Sequence, residues 1–137
     1  MKFLSSILVL IIVFTIESIS AQNKTITASV VNVTSNEGRV SYALYTKDSF
    51  MKKPIKAKSS KVIQGKSTVV FKDVPVGEYA IVCYHDKNNN GKMDFQPNGM
   101  PIENYGASNN VMNFGPPQYE DAKFSIIDNN VSLEIRF

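Results

Sequence analysis

From Ile26 onward the chain alternates apolar with small or polar residues. Ile26, Ala28 and Val30 interleave with Thr27 and Ser29, and Val40, Tyr42 and Leu44 interleave with Ser41 and Ala43. A period of two puts one set of side chains on each face of an extended strand, so each run predicts a half-buried β-strand. The turn-prone Ser35-Asn-Glu-Gly38 separates them. Lys61 to Gln64 reads as a short strand and Thr68 to Phe71 as a firmer one, ended by Asp73-Val-Pro-Val-Gly77. Glu78 to Tyr84 is the most apolar run. Near the C-terminus, Lys123 to Ile127 and Val131 to Phe137 flank Asp128-Asn-Asn130, a hairpin turn signal. Apart from a turn or two near residues 48–53, nothing carries a helical stripe. About seven short strands with turns between them predict an all-β fold: a single antiparallel β-sandwich with one long ordered loop.

That loop is the break in the rhythm. Residues 85–121 form a 37-residue stretch with eight asparagines, four prolines and four glycines. Structureless connections longer than about 12–15 residues are uncommon in compact domains and are usually functional or disordered. This one also carries Met93, Phe95, Met100, Ile102, Tyr105, Val111, Met112, Phe114 and Tyr119. So much apolar surface points to packing, and ordering the backbone costs roughly 1–2 kcal/mol per residue, so something must tie it down.

The tie is expected at its start. Asp86, Asn88, Asn90 and Asp94 occupy positions 1, 3, 5 and 9 of a calcium-loop pattern, with Gly91 at position 6 where the chain bends sharply. A hard cation takes several oxygens at about 2.3–2.6 Å, which alternate side chains of a tight turn can supply. Position 12 is Pro97 rather than glutamate, and Lys87 and Lys92 oppose the charge, so Glu103 is the expected fifth ligand and the calcium site is expected to be weak. The competing reading is a plain Asn-Gly turn, which needs no ion.

Composition narrows the classes. Lys2, an apolar run from Phe3 to Ile16 and the small residue Ala21 predict a signal peptide over residues 1–21, cleaved after Ala21, with a single domain over residues 22–137. The run of 14 residues falls short of the roughly 20 that span a bilayer, so no stable membrane insertion is expected after cleavage. The product is expected to be secreted or periplasmic. Cys83 is the sole cysteine and reads as a buried hydrophobe. A net charge of +3 gives no case for nucleic acid. Seven lysines and one acid between Lys47 and Lys66 form either a patch for an anionic glycan or an edge strand protected against pairing. Gly65-Lys-Ser67 resembles a phosphate loop only at its tail, because the upstream glycine is Ser60.

Several segments together resemble one family. Phe71-Lys-Asp-Val-Pro-Val-Gly-Glu-Tyr-Ala80, His85-Asp-Lys-Asn-Asn-Asn-Gly-Lys-Met-Asp94, Gly99-Met-Pro-Ile-Glu-Asn-Tyr-Gly106, Ser108-Asn-Asn110 and Phe114-Gly-Pro-Pro-Gln-Tyr-Glu-Asp-Ala122 resemble the exported bacterial domain-of-unknown-function family 2141. The resemblance implies a secreted or periplasmic β-sandwich without an assigned activity. The Phe-x-x-Val-Pro-x-Gly-x-Tyr segment is also similar to transthyretin-like and carboxypeptidase-regulatory sandwiches. The expected function is therefore a non-enzymatic exported module with a calcium-organised loop, presenting Tyr105, Phe114 and Tyr119 to a protein or glycan partner. Two alternatives stand beside it: a metal-assisted hydrolase using His85, Asp86, Asp94 and Glu103, and a polyanion or glycan binder built on residues 47–66.

Overall fold

The computed structural model describes residues 22–137, so the expected signal peptide lies outside the described residues. Alternation becomes strand as predicted in β1 (Lys24–Val30), β2 (Arg39–Tyr45), β4 (Ser67–Val74), β5 (Gly77–Asp86), β7 (Phe124–Ile126) and β8 (Val131–Ile135), whereas β3 (Lys56–Lys61) ends where the expected Lys61–Gln64 strand begins and β6 (Tyr105–Ala107) lies inside the expected loop. A single-turn helix, α1 (Tyr119–Ala122), is the only α-helix among the described residues. One sheet has the order β4-β1-β8, and the other β3-β2-β5-β6 with β7 joined to the start of β5. Among the described residues no helix is long and apolar enough to cross a membrane.

The core lies between the sheets. Ile26, Ala28 and Val30 from β1 meet Val40, Tyr42 and Leu44 from β2 and Ile81 and Cys83 from β5. The Tyr42 hydroxyl enters this apolar layer because it donates to the Ser67 carbonyl at 2.9 Å, and burial pushes its pKa up to about 12. On β4 the pleat slips by one residue. Ile26 pairs with Phe71, yet Lys24 pairs with Val74, and Asp73 sits at φ +56. This bulge returns Val74 to the inner face after Phe71, so both side chains are buried.

Three features depart from simple alternation. The turn Asp128-Asn-Asn130 does not close a hairpin: β7 pairs with β5 in one sheet and β8 with β1 in the other. It is a corner between sheets, and the Asn130 side chain accepts the Thr25 N–H at 2.9 Å as the chain crosses. Consequently β8 runs parallel to β1, the one parallel pair among the described residues, whose other ladders are antiparallel. The third is the Gln64-Gly65 turn, with φ values of +51 and +73, which closes Ile63 onto Lys66 as the chain passes from β3 to β4.

The Ser35–Gly38 turn runs close under the end of β5. Gly38 has φ +70, and a Cβ there would stand 2.1 Å from the Asp86 carbonyl oxygen and 2.7 Å from Lys87 Cα. Gly91 also has positive φ, +78, but a Cβ there would meet nothing within 4 Å. In urea unfolding, Gly91→Ala should lose about 1–2 kcal/mol, the left-handed conformation alone. Gly38→Ala should lose about 3 kcal/mol or more, because backbone must move as well. Equal losses would show that the two turns are not in contact.

Candidate functional site

Strand β5 ends at Asp86, where the outward path of the chain begins. Asp86 is 1% exposed, and its two carboxylate oxygens accept the backbone N–H groups of Asn90 at 3.0 Å and Gly91 at 2.9 Å. The turn is tightened by Asn89 at φ +56 and Gly91 at φ +78. Asn88 Oδ1 accepts the Asn90 N–H at 3.3 Å and Asn90 Oδ1 accepts the Lys92 N–H at 3.1 Å. Side chains that mimic turn hydrogen bonds in this way are the reason asparagine suits such loops.

Opposite Asp86 stands Asp94. Its carboxylate receives the side-chain amide of Asn88 at 2.7 Å and that of Asn90 at 2.8 Å. Hydrogen bonds from Asn90 and then Asn88 stabilise the anion and hold Asp94 below the ordinary aspartate range, helped by Lys92. Glu103 closes the ring from the far side, accepting the Lys87 N–H with one oxygen and the Asp94 N–H with the other, both at 3.1 Å. The flanking backbone is tied too: the His85 N–H reaches the Asn104 carbonyl at 2.8 Å and the Ile102 N–H the Asp94 carbonyl at 2.9 Å.

Asp86, Asn88, Asn90, Asp94 and Glu103, the five expected ligands, therefore belong to one hydrogen-bonded cluster. Their anionic oxygens are already engaged. Asp86 and Glu103 serve backbone amides, and among the described residues no group of three or more His, Cys, Asp or Glu side chains forms a metal cage.

Beside the cluster opens a polar crevice of about 760 Å³, bordered by Glu37, His85, Asn88, Asp94 and Glu103. His85 is 4% exposed, and its Nε2 donates to the Glu37 carbonyl at 2.7 Å. Neighbours on a strand face opposite ways, so His85 and Asp86 do not form a pair. Cys83 is buried, its thiol pKa pushed well up by desolvation, which keeps it from acting as a thiolate.

The expected contact residues fare differently. Phe114 is fully exposed. Tyr105 is half-buried, its hydroxyl donating to the Gly115 carbonyl at 3.2 Å. Tyr119 is a correction: it is 8% exposed, wedged against Phe50 with ring centroids 5.5 Å apart, and donates to Glu78 at 3.2 Å. Burial and the Glu78 carboxylate push its pKa up to about 12. It anchors α1 on the outside of the second sheet with Ala80 and Ala122, so it presents little surface to a partner. In the lysine-rich segment, β3 forms an open edge of its sheet. Lys47 pairs with Glu120 at 3.2 Å and the Lys56 ammonium caps the Lys72 carbonyl at 2.7 Å.

Sequence reasoning passed over the second anchor of the excursion. Buried Ser108 accepts the Ile81 N–H with its hydroxyl oxygen at 3.0 Å and donates to the Ala122 carbonyl. Asn109 donates to the carbonyls of Asp121 and Lys123 at 2.9 and 2.8 Å, and Asn110 bridges Glu134 and Arg136 on and beside β8. The available signal was Ser108-Asn-Asn110 itself, three residues that favour backbone bonding standing together.

A family model described as "Uncharacterized protein conserved in bacteria (DUF2141)" matches residues 28–134. No curated protein and no solved structure matches the chain.

In a carboxyl-detected NMR titration, Asp94 should titrate below an ordinary aspartate. Its midpoint should rise toward the ordinary value in Asn90→Ala. Because the folded pKa is the lower one, the stabilisation from these bonds is present at neutral pH and is lost as pH falls through that depressed value. An Asp94 that titrates normally in the wild type would mean that the amides do not hold it.

Proposed function

The chain belongs to the bacterial family DUF2141, and we propose that it is an exported, non-enzymatic binding module whose 86–94 loop takes a weakly held calcium ion. The observation that carries this reading is the shared focus of the loop. Asn88 and Asn90 turn their amides onto the Asp94 carboxylate, with Asp86 and Glu103 fixing both ends of the loop. The positive ends of two amide dipoles stand where a cation's charge would act. Turning either amide to present its oxygen to calcium also gives up the bond that oxygen makes to the Asn90 or Lys92 N–H, so the ion binds at that cost and without a change of fold. Affinity is low because Asp86 and Glu103 must share oxygens already bonded to backbone. It belongs in the range of about 10⁻⁴–10⁻³ M seen for extracellular modules.

The ion would hold residues 87–104 over the end of the second sheet and so stiffen the surface that the excursion forms. Supporting a non-enzymatic role, both oxygens of Glu103 and both of Asp86 are bonded to backbone N–H groups. Export rests on the basic, apolar and small-residue pattern of residues 1–21.

Calorimetry of the exported protein tests the ion. At a calcium concentration ten times its dissociation constant the gain is about 1.4 kcal/mol, a rise in Tm of about 5 °C. EGTA should reverse that rise. Asp94→Asn should abolish it and also lower the EGTA melting point somewhat, because the Asn88 and Asn90 amides lose their anionic partner. An unchanged Tm at about 10 mM calcium, well above the range for such modules, removes calcium from the reading.

A further inference from the structure

We propose that the outer face of the second sheet, beneath the long excursion, is a binding groove for a small anionic amphiphile with an acyl-type tail. This rests on the reading that the excursion forms a binding surface, but not on the calcium ion.

The groove follows from two rows of residues across the sheet. Register places Ser59, Ser41, Tyr84 and Tyr105 side by side in one row, and Ala57, Ala43 and Val82 in the next. All face away from the core, because the residues between them on β2 and β5 face inward. An outward face normally carries long polar side chains. Here its floor is Ser41, Ala43, Ala57 and Ser59, which leave a trough. Walls rise on either side: Met51 and Pro54 from the β2–β3 connection, and Met93, Phe95 and Met100 from the excursion. The half-open trough has a volume of about 1030 Å³. That lies at the upper end of the roughly 300–1000 Å³ typical of small-molecule sites. Met51, Phe95 and Met100 are 51%, 57% and 60% exposed, so the walls are apolar surface that the chain itself leaves uncovered.

Charge selects the occupant. The groove lining holds neither aspartate nor glutamate, and in the row beyond Ser41 and Ser59 the register sets Lys61 beside Arg39, with Asp86, whose oxygens are taken by backbone amides, on the far side of Arg39. At one end the Arg39 guanidinium is fixed by Ser59 Oγ and Asn89 Oδ1, both at 3.2 Å. The β2–β3 connection that supplies Met51 and Pro54 adds Lys52 and Lys53 between them. A ligand with an apolar body and one negative head satisfies both the walls and the rim. The flexible methionines suit a tail of variable shape rather than a rigid ring.

The test uses sodium dodecanoate below its micelle concentration, titrated into the protein by calorimetry in EGTA, which keeps calcium from precipitating the soap. Binding is expected at one per chain. It should tighten about tenfold or more from decanoate to dodecanoate, since each buried methylene brings about a fourfold gain. Ala57→Trp fills the floor at an exposed edge-strand position and should abolish binding with an unchanged unfolding midpoint. Lys61→Glu should weaken dodecanoate severalfold without affecting dodecanol. Failure of the calcium-dependent Tm shift with dodecanoate binding intact would sink the ion and leave the groove. Absence of binding, or equal binding by Ala57→Trp, overturns the groove proposal. A dimer that forms with rising protein concentration and is dispersed by Ala57→Trp would overturn it too, assigning the groove to a second copy of the chain.

Discussion

Backbone amides and carbonyls that leave a sheet must find partners elsewhere, and this requirement governs residues 85–121. Within β5 the ladder to β2 supplies them residue by residue, from Arg39 opposite Asp86 to Tyr45 opposite Ala80. Past Asp86 the ladder stops, and side chains take over. Two carboxylates each bind two backbone N–H groups, and Ser108, Asn109 and Asn110 bind backbone at the other end. A neutral hydrogen bond is worth about 0.5–1.5 kcal/mol net and one to a charged group about 1.5–3. Ordering the chain costs roughly 1–2 kcal/mol per residue. The bonds alone therefore cannot hold the excursion. They choose its conformation, and burial of side chains such as Tyr119 and Ala122 supplies the rest.

This division explains the asparagines. Seven of the eight in the excursion bond through their side chains: Asn88, Asn89, Asn90, Asn98, Asn109, Asn110 and Asn113. Asparagine carries a donor and an acceptor on a short stem and tolerates positive φ, as Asn89, Asn109 and Asn110 do here. A longer side chain would lose more rotamer entropy for the same bond. The same property lets the 86–94 loop close on itself, Asn88 and Asn90 each giving a nitrogen to Asp94 and an oxygen to a backbone N–H.

Strands were legible wherever one face is buried. Val40, Tyr42 and Leu44 alternate because the sandwich requires it, and the five-residue oxygen cluster was legible because its spacing is local. Three things were hidden. The Asp128–Asn130 turn carries a local hairpin signal, but which strand a segment joins depends on contacts more than 100 residues away in sequence, as between Thr25 and Asn130. Tyr119 sits among prolines and acids, so nothing near it in sequence announces the Phe50 ring it packs against. The groove was invisible for a third reason: Ser41, Ala43, Ala57 and Ser59 look like the ordinary polar half of an alternating strand. Only their alignment across β3 and β2 makes a floor.

The two anchors of the excursion lie at opposite ends of its path over the second sheet, and this has a consequence for the groove. Near the first anchor the chain is held by Glu103 and Asp86, and near the second by Ser108 and Asn110. Between and beyond them lie side chains that the fold does not bury, among them Phe95 and Met100 on one side and Met112 and Phe114 on the other. If the excursion were collapsed onto the sheet, these would fill the space above Ala43 and Ala57 and the outer face would become a second core. The carboxylates of Asp86 and Glu103 hold the backbone on either side of residues 95–101, whose Phe95 and Met100 remain exposed. Rigid anchoring and an open apolar trough are thus one design: the polar bonds that order the excursion are what keep its apolar side chains available.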